Sequence, residues 1–150
     1  MKNKNYHKTI TANVSAEEAY EKICQVNEWW TTSFKGSAKN LNDVFSVHFG
    51  ETRVSFKVVE IIPTKKMVWL VTDCFLHWLR NKTEWTNTNI VFEISEKKNQ
   101  TRIDMTHVGL VPGMECYENC EEGWNEYIGE SIPKLLAKGK GVLFEESRGK

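Results

Sequence analysis

Apolar positions change period twice along this chain. Tyr6 to Val14 mixes polar and β-branched residues and predicts an edge strand. Ser15 with Glu18 three residues on makes a capping box, and Ala16, Ala19, Tyr20 and Ile23 add a short helical stripe. Val26 to Phe34, which holds the Trp29-Trp30 pair, predicts a second short helix, with the break near Gln25–Asn27. After Gly36 the period falls to two. Phe45, Val47 and Phe49, then Val54, Phe56 and Val58, alternate with polar neighbours, as strands with one wet face do. Ile90, Phe92 and Ile94 repeat the pattern, and so do Ile103, Met105 and His107. Met67 to Thr72 is apolar on both faces, so alternation does not orient it. Asp73 to Asn87 carries no clean period and is expected to hold a strand turn or a lid.

The helical period returns between Gly113 and Gly141. Tyr117, Cys120, Trp124, Tyr127/Ile128, Ser131 and Leu135 form one stripe, while Glu118, Asn119, Glu121, Glu122, Asn125, Glu126 and Glu130 take the other side. Pro112-Gly113 ends the preceding segment, so a helix is expected from near Met114. Glu115 and Glu118 suit its positive end, Lys134 and Lys138 its negative end, and Gly139 its C-cap. Such a helix would run about 36 Å, enough to cross a small domain. Pro133 leaves the Gly129 carbonyl without its intrahelical donor, which predicts a bend there.

Strands joined by short turns pair antiparallel, and their apolar faces need a cover. The economical fold is α+β: a curved antiparallel sheet wrapped around the long C-terminal helix, with two short helices after the first strand. At 150 residues the chain reads as one domain, residues 1–150, and as a monomer. Twenty basic and twenty acidic residues cancel, so no net field recruits nucleic acid or anionic lipid. No apolar run approaches a membrane span, and MKNKNYHK lacks the core of a signal peptide. Four irregularly spaced cysteines then read as free thiols of a cytoplasmic protein.

The order of elements resembles the helix-grip fold of the START/Bet v 1-like (SRPBCC) superfamily. Within it, the chain is similar to single-domain bacterial proteins related to the C-terminal domain of the activator of Hsp90 ATPase. The resemblance rests on Val14 to Tyr20, Trp29-Trp30, Phe56 to Pro63 and Met67 to Val71. It continues through Thr106 to Pro112, Cys116-Tyr117, Gly123 to Tyr127 and Gly139 to Gly141, and covers about residues 6–141. It implies a cavity between sheet and long helix, used in relatives for apolar or amphipathic small molecules, and an association with stress response. It brings no invariant catalytic motif and implies no cofactor.

The candidate lining of such a cavity is Phe56, Trp69, Phe92, Met105 and His107 from the strands, with Tyr117, Cys120, Trp124 and Tyr127 from the helix. His107 shares a face with Ile103 and Met105. It reads as a satisfied core histidine, as a polar anchor for a ligand, or as a general acid/base. Asp104, at odd spacing, points the other way and does not orient it. Cys116 and Cys120, one turn apart, present two possible metal ligands, but a structural zinc site needs four, so half-buried thiols are the expectation. His77, Trp78 and Trp85 read as a lid, a partner surface or a satellite cluster. Three functions compete. Non-catalytic binding of a small apolar or amphipathic molecule leads. An enzyme of cyclase or hydrolase type using His107 and a cavity tyrosine lacks a nucleophile–base–orienter set. Regulation of an Hsp90-type chaperone departs from the eukaryotic activator, which has a separate N-terminal domain.

Overall fold

The computed structural model describes residues 5–98 and 100–143. Seven strands form one antiparallel sheet in the order β1-β7-β6-β5-β4-β3-β2. They are β1 (Tyr6–Ala12), β2 (Phe34–Gly36), β3 (Val44–Phe49), β4 (Thr52–Ile62), β5 (Lys66–Phe75), β6 (Asn89–Lys97) and β7 (Gln100–Val108). Two short helices, α1 (Ala16–Cys24) and α2 (Val26–Trp29), follow β1, and the C-terminal helix closes the concave face. This is the helix-grip arrangement expected from the sequence.

Local chemistry explains most of the boundaries. The Ser15 hydroxyl accepts the Glu18 amide at 3.1 Å, and Glu96 from the sheet accepts the Ala16 amide at 3.0 Å, so the start of α1 is capped twice. The inward rows are fully buried: Phe45, Val47, Val54, Phe56 and Val58, then Ile90, Phe92, Ile103 and Met105, are each at most 1% exposed. Asp104 lies on the outer face, where it accepts the Thr9 hydroxyl at 2.6 Å and Arg102 Nε at 3.0 Å.

Three expectations change. The second helix ends at Trp29 rather than at Phe34, and Phe34 opens β2, which pairs with Val47 to Phe45 of β3. Gly36 makes this possible: its φ is +105°, and a Cβ there would run into the Val44 carbonyl oxygen. The long helix starts at Tyr117 rather than near Met114, because the preceding residues close tighter turns, Met114 to Val111 at 3.3 Å and Tyr117 to Met114 at 3.1 Å. Finally, the irregularity expected where Pro133 deprives the Gly129 carbonyl of its donor takes the form of a π-helical turn around Gly129. The helix runs as α3 (Tyr117–Glu126), a π-helical turn (Tyr127–Ser131) and α4 (Ile132–Lys138). The Ile132 amide donates to the Tyr127 carbonyl five residues back, so the widened turn is complete before the proline, which begins α4 near its N1 position. Gly139 ends α4 in the left-handed conformation at φ 80°, as a C-cap glycine should.

The chain then turns back. Ser131, fully buried, donates to the Trp29 carbonyl and accepts the Val142 amide, both at 2.7 Å. One hydroxyl thus ties the π turn, α2 and the C-terminal segment together.

Candidate functional site

The concave face is divided into a dry core and an open pocket. In the core Phe45 and Phe56 stack at 4.9 Å, and Trp69 meets Phe45 edge-on at 4.9 Å and Phe92 at 5.1 Å. Trp29 closes the end of this ladder, with its ring 6.4 Å from Phe92 and its indole N–H donating to the Ile23 carbonyl at 3.0 Å. Phe56, Trp69, Phe92 and Met105 are therefore packed against other side chains and do not line the pocket. Tyr117, at the first turn of α3, is partly exposed and lies outside the pocket.

The pocket, about 290 Å³, lies beyond this core, between strands β3 and β4, helix α3 and the loop 76–88. Cys120, Gly123 and Trp124 of α3 and Tyr127 of the π turn form one wall, with Trp30 at its base. Phe49, Thr52 and Val54 of the sheet form the second, and Leu76, Trp78 and Trp85 of the loop the third. The structure thus gathers Cys120, Trp124 and Tyr127 from the predicted set, and adds Phe49 and Val54, which alternation placed on the inner face but not in the lining, with Thr52 and residues of the loop. The run of tryptophans around Trp78 and Trp85 was the one available signal. Of that loop, Trp85 is buried and Trp78 is 46% exposed, while His77 points out to Glu51 at 3.2 Å.

His107 stands directly behind this wall. Trp85 meets its ring edge-on at 4.6 Å, and Trp85 stacks on Trp124 at 5.9 Å. An indole N–H only donates, so the 3.0 Å contact from Trp124 Nε1 makes Nδ1 of His107 the acceptor. The proton of the neutral ring then lies on Nε2, which donates to Thr88 Oγ1 at 2.9 Å, and the Thr88 hydroxyl passes its own proton to the Trp85 carbonyl at 2.6 Å. Burial pushes the imidazole pKa down to about 3, which keeps the ring neutral and this tautomer fixed. Both nitrogens are occupied. The histidine is hydrogen-bonded within the core, to tryptophan and threonine side chains.

Cys116 and Cys120 are buried free thiols, and their mutual hydrogen bond together with burial pushes the Cys120 thiol far up, away from thiolate chemistry. The buried Trp85 indole N–H has no hydrogen-bond partner among the described residues. No group of three or more histidine, cysteine or carboxylate side chains is placed to hold a metal ion among the described residues.

The loop is fastened to α3 by two carboxylates working in opposite directions. Glu84 of the loop accepts the Glu115 and Cys116 amides at 2.9 and 3.1 Å, at the positive end of the helix. Glu115 in return accepts the Arg80 and Asn81 amides at 2.8 and 3.0 Å, and these hydrogen bonds hold its carboxyl below the usual carboxylate range. Glu115 serves as a clamp for the loop, not as the first-turn charge expected of it. Glu84→Gln keeps the size but turns one acceptor into a donor facing an N–H. The loss of one such bond, about 1 kcal/mol, should speed amide exchange across residues 76–88 roughly fivefold. Hydrogen exchange mass spectrometry checks this; unchanged exchange in the loop with a lowered global stability would count against the clamp.

The comparisons with known proteins agree with this architecture. The model of the family described as Activator of Hsp90 ATPase homolog 1-like protein matches residues 14–137. No curated protein matches the chain in sequence. Among solved structures, the Aha1 dimer from Colwellia psychrerythraea, determined in solution, is 25% identical with a TM-score of 0.76, over 92% of this chain and 99% of that one. Protein MLL2253 from Mesorhizobium loti aligns with a TM-score of 0.69 at 12% identity, over 91% of this chain and 100% of its own. DynU16, from the dynemicin biosynthetic locus, aligns with a TM-score of 0.66 at 14% identity, over 93% of this chain and 49% of its own.

Proposed function

The chain belongs to the activator of Hsp90 ATPase homolog 1-like family, and on that footing we propose that it binds a small apolar or amphipathic molecule, without chemistry, in the pocket between the sheet and α3. The observation that carries this reading is the pocket itself: about 290 Å³, lined by Trp30, Trp124, Trp78 and Trp85 on its helix and loop sides and by Phe49 and Val54 on its sheet side. Aromatic walls with few polar groups suit an apolar guest. His107 supports a binding role over an acid/base one, since its ring nitrogens are both used in holding Trp124 and Thr88. It then acts through Trp124, positioning the wall.

Titration with fatty acids, sterols and small aromatics, followed by tryptophan fluorescence and thermal shift, tests the proposal. A ligand at a hundred times its Kd should add about 2.7 kcal/mol of stability. If no compound of the panel changes either signal, and the protein instead stimulates the ATPase of an Hsp90-type chaperone, the binding reading gives way to the regulator reading. A single cytoplasmic monomer is part of the proposal. No helix of the described residues is long and apolar enough to cross a membrane, and the relative from Colwellia psychrerythraea is a dimer, so light scattering is the direct check.

A further inference from the structure

Given the pocket proposed above, on which this rests, we infer that its ligand is an uncharged aromatic molecule of about two fused rings, entering past Gly123. Size comes first. A cavity of about 150 Å³ takes benzene, and this one, at about 290 Å³, is close to twice that. A four-ring sterol or a sixteen-carbon acyl chain exceeds it.

Charge comes second. None of the lining residues is ionic, and the polar groups of the wall are neutral: the Thr52 hydroxyl, the Tyr127 phenol and the Cys120 thiol. The Thr52 oxygen already accepts the His77 amide at 3.2 Å, which leaves its proton to offer. A carboxylate taken into such a wall loses its hydration and gains no cation. The approach repels anions as well. Gly123 is shared between the pocket and an outer groove whose other residues include Glu122, Glu126 and Glu130. A cation meets these glutamates outside but no carboxylate within the wall.

Gly123 itself is the third observation. It lies inside α3 with ordinary helical geometry, where glycine costs about 1 kcal/mol relative to alanine. No packing demands it, because a Cβ there would meet nothing within 4 Å. What the missing side chain leaves is space at the pocket's edge.

The test is an isosteric series titrated against the full chain by tryptophan fluorescence and calorimetry: 2-naphthol, 2-naphthoate and N-methylquinolinium, with palmitate and cholesterol for size. We expect 2-naphthol to bind at least a hundredfold more tightly than 2-naphthoate and at least tenfold more tightly than the cation, with no binding of palmitate or cholesterol. Gly123→Leu should weaken 2-naphthol at least tenfold, whereas Gly123→Ala should melt higher than the natural chain. Equal or tighter binding of either ion, or of the long or four-ring compounds, overturns the ligand class while leaving the pocket standing. Wild-type affinity in Gly123→Leu overturns the entry route. Silence from every compound overturns both this inference and the binding proposal.

Discussion

A Trp124→Ala protein should melt roughly 10–15 °C below the natural chain, a loss of about 3–5 kcal/mol, and should bind no pocket ligand. Trp124 is 2% exposed and stands at the junction of every part of the site. Its ring lies 5.0 Å from Trp30 and stacks on Trp85, so its removal opens the pocket into the core. Its N–H is also the donor to His107, so alanine leaves a buried nitrogen without a partner, which costs about 1–3 kcal/mol where no water enters. Trp124→Phe separates the two effects, because it keeps most of the wall and removes only the donor. A double-mutant cycle with His107→Leu should then show a coupling of about 1 kcal/mol or more. Additive losses would mean that the Trp124–His107 bond contributes nothing of its own.

The second large effect is loss of stability in mild acid. His107 has a folded pKa of about 3, held down by burial, against an ordinary value of 6.5. Below pH 6.5 the unfolded chain takes up a proton at this site and the folded chain does not. Stability is therefore fully present above that pH and falls as the pH drops towards 3. The slope is about 1.4 kcal/mol per pH unit, or about 2 kcal/mol between pH 6.5 and pH 5. Glu115, whose pKa is depressed, loses its contribution lower, as the pH falls through the carboxylate range, so the upper part of the window reports the histidine. Denaturant melts of the natural chain and His107→Leu at pH 7, 6 and 5 make the comparison. The stability gap between them should close by about 2 kcal/mol over that range; parallel slopes would show that His107 is not the group responsible.

Strand alternation and the helical stripe were legible in the sequence because each is a local pattern, repeated within a few residues. Phe45, Val54, Phe92 and Ile103 all face inward as their periods require. β2 was not legible, since a strand of three residues with one apolar side chain has no period to read; Gly36 and its neighbour β3 define it. The proline signal gave the right turn, around Gly129, but not its π-helical form. Pro133 removes a donor, but the backbone adjusts upstream, at Tyr127–Ser131, where a five-residue bond replaces the four-residue one. The pocket was half legible. Cys120, Trp124 and Tyr127 lie on a stripe that periodicity finds, whereas Trp85 reaches them only because its loop folds across 31 and 32 residues of chain to the start of α3. The core ladder of Phe56, Trp69 and Phe92 has the same inward pattern as a pocket wall, and alternation does not tell a filled interior from a hollow one.

The loop fastening has an evolutionary consequence. All four of its hydrogen bonds end on backbone amides, at Arg80, Asn81, Glu115 and Cys116, and only Glu84 and Glu115 contribute side chains. Every residue except proline carries such an amide. Leu76, Trp78 and Trp85, which form a wall of the pocket, contribute no side chain to these four bonds, so exchanging them leaves this fastening in place. Two fixed acids would let a lineage exchange one set of wall side chains for another, and so change its guest, while the attachment is inherited intact.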